Sequence, residues 1–188
     1  MGVATLLDGG ATSGSADGAD PERSVTADVY RSLFRGHPAG VAVVTATTPA
    51  GPVALTATSV VSVSADPPML IFSLSTSSSA APGIAGSDTV VVHLLAHTDV
   101  GLARLCATSG IDRFADPSLW SSLPTGEPVF HGVEAWMRCR IEQRMSIGGS
   151  TVLAVRVVEA SGGRSDHLAP LVYHDRTWHR LGEHSELK

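Results

Sequence analysis

The chain has 188 residues, 43% of them hydrophobic and 16% charged, a balance that suits a globular domain with its own core and excludes a disordered chain. Formal net charge is -5, from 13 basic and 18 acidic residues, and the single lysine is Lys188. With no Lys/Arg run, a nucleic-acid surface is excluded, because phosphate backbones are held by clustered cations.

Residues 1–23 are rich in Gly, Ala, Ser, Thr and Asp. They are expected to form a disordered tail ahead of a domain over 24–188. They lack the basic and apolar regions of a signal peptide, and no apolar run approaches the ~20 residues a membrane helix needs. The expectation is a cytoplasmic protein with no membrane segment. Ser24 is a candidate N-cap, with Asp28 in the first turn of a short helix. Val25, Val29 and Leu33 share one face, with Tyr30 and Phe34 beside them. Gly36 and Pro38 end it.

From Gly40 to about Leu74 the chain reads as strand. GVAVVTA is dominated by β-branched residues, and LTATSVVSVS alternates. Pro49, Gly51 and Pro52 turn the chain, and Asp66-Pro67-Pro68 is a stiff corner. MLIFSLS is a further strand, STSSSAAPG a small-residue loop into a helical turn, and TVVVHLLA a buried strand. Asp99 to Ala107 reads as helix, and 115–128, with three prolines, as loop. Two long strands, VEAWMRCRIEQRM and STVLAVRVVEA, meet across Ile147-Gly148-Gly149, and LVYHDRTWHRL closes as a strand or hairpin. Strands with short helices between them, and no βαβ rhythm, predict a mainly β antiparallel barrel. A GxGxxG after a strand is absent, which disfavours a parallel nucleotide-binding sheet.

The densest polar cluster runs through Thr56, Ala57, Thr58 and Ser59, then Ser62 and Ser64, then Ser73 and Ser75 to Ser79, including Ser77 and Ser78. Hydroxyls and small residues allow close approach of a ligand, and backbone N–H groups can cradle a phosphate. The same residues also suit a solvated strand face and a serine-rich turn. Gly148-Gly149-Ser150 is either a second ligand contact or a plain hairpin turn. His93 and His97 lie on a strand rather than a helix, so no metal site is expected. Cys106 and Cys139 sit in apolar stretches without CxxC spacing and read as small buried hydrophobes. No GxSxG or SxxK motif marks a catalytic nucleophile, and no catalytic residue is assigned.

Five stretches, in order, carry a resemblance. They are FRGHPAGVAVVTA, TATSVVSVSADPPM, TVVVHLLAHTDVGLARLCA, DRFADPSLWSSLPTGEPVFHGVEAWMRC and PLVYHDRTWHRL. Together they resemble the flavin reductase-like, FMN-binding split-barrel family, which includes the reductase components of two-component flavin monooxygenases. The resemblance spans about residues 29–181. It implies a six-stranded antiparallel Greek-key split barrel with a few short helices, a homodimer, and a flavin, FMN or FAD, in a groove at the barrel and dimer interface. It places Pro38, Ala39, Gly40 and Val41 beside the ring, and Thr56, Ala57, Thr58 and Ser59 on the ring and ribityl chain. It brings Ser62 and Ser77 to Ser79 near the phosphate, and His93 near the flavin. Gly148, Gly149, Ser150 and Tyr173 would meet the nicotinamide, NADH or NADPH, or another substrate.

Three departures stand out. Thr58 replaces the Asn of a TANS motif, His93 replaces an Asn, and Gly148-Gly149-Ser150 replaces GDH. The first two shorten or exchange a polar contact. The third removes the histidine that meets the nicotinamide in the family, since a serine cannot stack on the ring or carry charge. The resemblance implies an NAD(P)H:flavin reductase supplying reduced flavin to a partner monooxygenase. The alternatives are a flavin protein with another substrate or hydride donor, and a non-catalytic flavin- or haem-binding module.

Overall fold

The computed structural model describes residues 24–162 and 168–187, so the expected tail over 1–23 lies outside the described residues. The chain divides into two compact units between Phe34 and Arg35. At the end of the first lies helix α1 (Ala27–Arg35). Its cap is Thr26 rather than Ser24: the Thr26 hydroxyl accepts from the Val29 N–H at 3.4 Å. A capping oxygen must directly precede the helix to reach its third amide, and Ser24 stands too far back. The apolar stripe forms as expected, yet Val25, Val29, Tyr30, Leu33 and Phe34 are each at least half exposed.

The second unit runs β1 (Ala39–Gly40), β2 (Ala42–Thr48), β3 (Gly51–Ala57), β4 (Val61–Ala65), β5 (Pro68–Ser75) and helix α2 (Ala81–Gly86). Then come β6 (Thr89–Leu94), helix α3 (Val100–Ala107), β7 (Trp120–Ser122) and β8 (Pro128–Phe130). The long β9 (Ala135–Ile147) and β10 (Ser150–Ser161) precede β11 (Leu171–His174) and β12 (Thr177–Arg180). One antiparallel sheet takes the order β3-β2-β6-β9-β10-β5-β4. The mainly β antiparallel architecture is the expected one, with β4 added as a seventh, edge strand. A bulge between Ser62 and Ser64 interrupts its pairing with β5, and Val61 and Val63 are exposed.

The sheet curls around a core of Val44, Leu55, Phe72, Leu74, Val92, Leu153 and Val155, with Ile84 of α2 at its centre. A second core lies on the opposite face of β2 and β3, where Val43 and Ala54 meet Ala103 and Cys106 of α3, Phe114, Phe130 and Leu171. Strand β2 is therefore buried on both faces, which is why its sequence is apolar without alternation. β9 and β10 meet through Gly148 (φ 55°) and Gly149 (φ 78°), a two-residue turn in the left-handed region that glycine enters without strain.

Residues 115–128 are more ordered than their prolines suggest, since β7 and β8 pair as a small antiparallel ribbon. Side chains hold the ribbon to the sheet. Thr45 donates to the Pro128 carbonyl at 2.6 Å and Thr47 to the Gly126 carbonyl at 2.7 Å. Buried Glu127 accepts from Arg138 at 2.8 Å and from the Thr125 hydroxyl. Burial opposes the Glu127 charge, but these bonds and the Thr89 hydroxyl outweigh it and hold the carboxyl below its usual range.

Candidate functional site

The sheet does not close cleanly. Between the end of β3 and the end of β5 lies a groove of about 440 Å³, bounded on its third side by the C-terminal end of α3. Leu55, Ala57, Leu74, Cys106 and Ala107 give it an apolar floor, while Thr58, Ser59, Ser73, Ser75, Ser77, Ser78 and Ser79 supply hydroxyls.

The walls hold one another in place. Thr56 donates its hydroxyl to the Ala103 carbonyl at 2.7 Å, tying β3 to α3. Ser59 donates to the Ser73 carbonyl at 3.2 Å and accepts from the Ser73 N–H at 3.0 Å, tying the segment after β3 to β5. Thr76 donates its backbone N–H and its hydroxyl to the Gly149 carbonyl, at 3.1 and 2.7 Å, pinning the β9–β10 turn to the serine loop. Ser75 and Ser77 hydroxyls share a bond of 2.7 Å. The hydroxyls of Thr58, Ser78, Ser79, Ser109 and Ser150 remain without a partner among the described residues. Two of the expected ligand hydroxyls, Thr56 and Ser59, thus already spend their protons inside the protein.

The groove gathers Thr56, Ala57, Thr58, Ser59, Ser77, Ser78, Ser79 and Ser150 from the expected set. His93 does not join them. It is fully buried in β6, where Nδ1 meets the Val43 carbonyl at 3.1 Å and Nε2 accepts from the Phe130 N–H at 3.2 Å. Both ring nitrogens are committed, so His93 is structural, and it has none left for an iron. The remaining expected residues also stand apart from the groove walls. Ala39 and Gly40 pair with Tyr173 and Val172 across β1 and β11, with Pro38 just before them and Val41 just after. Tyr173 packs on Trp178 at 4.7 Å between ring centres. Ser62 faces solvent on β4. Gly148 and Gly149 form the turn, and only Ser150 of that triplet lines the groove.

Ser73 and Ser75, part of the polar cluster read in the sequence, also line the groove, whereas sequence reasoning missed Cys106, Ala107, Ser109 and Arg113. Arg113 is the one charged side chain of the lining. Its Nε donates to the Cys106 carbonyl at 3.1 Å and its guanidinium to the Thr108 carbonyl at 2.7 Å. A lone arginine just after a helix was the available signal. Burial pushes the Cys106 thiol up to about 12, Arg113 only partly offsetting it, so this sulfur stays protonated and is no nucleophile. The lining contains no His, Asp or Glu. The groove can bind, orient and exclude water, but it supplies no acid–base pair.

The sequence pattern described as flavin reductase like domain matches residues 34–182. The chain belongs to that family. It is 41% identical over 166 residues to an NADH:FMN oxidoreductase of Rhodococcus qingshengii, covering 86% of each chain. In three dimensions it resembles a flavin reductase domain protein of Arthrobacter sp. FB24, with a TM-score of 0.77, 34% identity, and 82% and 95% of the two chains covered. It also resembles BorF, the flavin reductase component of a bacterial two-component tryptophan halogenase, with a TM-score of 0.73, 27% identity, and 84% and 99% covered.

Proposed function

We propose that this protein is an NADH-dependent flavin reductase that hands reduced flavin to a partner monooxygenase. The observation that carries the reading is the groove itself: apolar on its floor, hydroxyl-rich on its sides and charged at one arginine. That sequence of surfaces matches a flat ring, a polyol chain and a phosphate. Leu55, Ala57 and Leu74 would hold the ring, and Thr58 the ring edge or ribityl chain. Ser77, Ser78 and Ser79 would hold the phosphate end. Ser150 stands where a nicotinamide or other substrate would enter. A flavin bound here would accept the hydride of the nicotinamide, and the protein's own task is to hold the two in contact and keep water out. NADH is favoured by the name of the Rhodococcus relative, and a partner oxygenase by the halogenase component.

Two further parts of the reading are a homodimer and a cytoplasmic location. Exposed Val61, Met145 and Ile147 lie on the same sheet that carries Ser73, Ser75 and Ser150. An apolar face beside the groove suits a second copy of the chain. Among the described residues no helix is long and apolar enough to cross a membrane. Cys106 and Cys139, buried and unpaired, suit a reducing compartment.

Anaerobic stopped-flow absorbance tests the activity. FMN mixed with the protein and NADH should bleach in a phase that saturates with NADH, and more slowly with NADPH. The change to Gly148-Gly149-Ser150 favours a second reading, a flavin protein with another hydride donor. Flavin that binds but is not bleached by either nicotinamide would select it.

A further inference from the structure

The hairpin of β9 and β10 reaches beyond the strands beside it. β6 pairs with β9 only over residues 135–140, so among the described residues 141–147 have β10 as their one strand neighbour. On the other side, β10 pairs with β5 as far as Ser150 opposite Ser75. The turn at the tip is two glycines, which contribute no side chain to packing. Such a tip has little of its own to fix it against the body of the protein.

Two side chains supply what is missing. Arg144 donates to the Ala85 and Ser87 carbonyls, each at 2.6 Å, and fixes the shaft of the hairpin to the end of α2. Thr76 fixes the tip. Its hydroxyl at 2.7 Å and its backbone N–H at 3.1 Å both donate to the Gly149 carbonyl, whose two lone pairs accept one bond each.

Thr76 belongs to the serine loop, yet it does not line the groove as its neighbours Ser75 and Ser77 do. Those two hydroxyls bond to each other at 2.7 Å, while the Thr76 hydroxyl reaches out to the hairpin. The loop is a compact turn running into α2: Ser78 donates to the Ser75 carbonyl at 3.0 Å, and Ala81 to the Ser78 carbonyl at 3.1 Å. Ser150, which follows Gly149 directly, lines the groove. One residue outside the groove thus ties together two of its walls, the loop assigned above to the flavin and the turn assigned to the hydride donor.

We propose that Thr76 is a positioning residue that clasps the hairpin tip to the serine loop and so sets how the hydride donor is aligned on the flavin. This rests on the flavin reductase reading above and names the side chain that would hold the two ligand walls in register. Thr76 touches neither ligand. It acts through Gly149 and Ser150, and exchanges no proton or electron.

Thr76→Val and Thr76→Ser, made in the full chain, test the clasp. Valine keeps the shape and the backbone N–H but loses the hydroxyl bond, whereas serine keeps a donor. The site is exposed, so both proteins should fold. Thr76→Val should bind FMN within about threefold of wild type by fluorescence quenching. Its anaerobic bleaching rate at saturating NADH should fall by about tenfold, because a small misplacement of reacting groups costs rate rather than affinity. Thr76→Ser should recover most of that rate. Hydrogen exchange at residues 147–151 should quicken in Thr76→Val and not in Thr76→Ser, with β6 unchanged in both.

A Thr76→Val protein that bleaches FMN at the wild-type rate overturns the proposal and leaves the reductase reading intact. So does a loss of FMN affinity as large as the loss of rate, which would make Thr76 a support of the flavin site alone. A Thr76→Ser protein as slow as Thr76→Val, or exchange at the tip unchanged by valine, has the same consequence. Wild-type protein that binds FMN but is bleached by neither NADH nor NADPH overturns the reductase reading, and the role of Thr76 in hydride alignment falls with it.

Discussion

His93 Nε2 accepts a hydrogen bond from the backbone N–H of Phe130 at 3.2 Å, joining the centre of the main sheet to the β7–β8 ribbon. The acceptor role requires an unprotonated Nε2, so the proton of the neutral ring sits on Nδ1 and is donated to the Val43 carbonyl. Phe130 in turn stacks on Phe114, whose neighbour Arg113 lines the groove. The histidine thus holds the packing behind the site without touching it.

This arrangement makes stability depend on pH. Burial pushes the His93 imidazole from 6.5 down to about 4, the Val43 carbonyl only partly opposing it. Unfolding frees the ring to take up a proton at its ordinary value. The stabilisation is fully present above 6.5 and is lost as pH falls from there towards 4. The shift of 6.5 to about 4 corresponds to about 3 kcal/mol. Urea midpoints measured between pH 7.5 and 4.5 should fall, and His93→Phe should flatten the part of that slope due to the imidazole. His93→Phe should itself cost about 1–3 kcal/mol, because the Phe130 N–H loses its buried acceptor. A slope unchanged by the substitution would mean that other groups govern the acid response.

Burial also fixes the behaviour of both thiols. Cys106 and Cys139 are each pushed up to about 12 by burial, with the Arg113 and Arg138 charges respectively opposing. At pH 8 the folded protein should react with a thiol reagent at least a hundredfold more slowly than the urea-unfolded chain, in which both sulfurs are accessible. Fast labelling of one equivalent in the native protein would show that Cys106 is open to the groove.

The fold was legible where local chemistry and burial agree. The β-branched runs, the Asp66-Pro67-Pro68 corner and the Gly148-Gly149 turn all appear as read. What the sequence hid was long-range. Prolines at 117, 124 and 128 read as loop because the bonds that order β8 come from Thr45, Thr47, His93 and Arg138, far away in the chain. The groove hydroxyls were visible as a serine cluster, but composition does not reveal that Ser59 is spent on Ser73. His93 looked like a ligand contact because it stands at the place of a family Asn. Its larger ring instead spans the gap between two backbones and is consumed there. Arg113 was passed over because its importance arises only when α3 and β5 come together.

Ser59 offers a direct test of the groove. Its hydroxyl bridges Ser73, and its side chain lines the cavity. Ser59→Trp should fill much of the groove and weaken FMN binding by roughly a hundredfold or more, since overpacking and lost contacts act together. Ser59→Ala serves as the control. It removes the bridge, at a cost of about 1 kcal/mol in stability, but leaves the cavity open. Unchanged FMN affinity in a folded Ser59→Trp protein would move the flavin elsewhere.

Ser150 tests the nicotinamide side. It lines the groove directly after a turn whose Gly149 carbonyl is pinned by Thr76, so a side chain at this position is held against a fixed frame. Ser150→His places an aromatic face at the mouth of the groove without disturbing the two glycines, whose positive φ values the turn requires. If stacking on the nicotinamide limits turnover, the substitution should lower KM for NADH several-fold, with a smaller effect on kcat, because ground-state and transition-state binding gain alike. FMN affinity should hold, since the flavin contacts lie on β3 and the serine loop. A KM that does not move, alongside measurable NADH turnover in the wild type, would show that the donor is positioned by groups other than this turn.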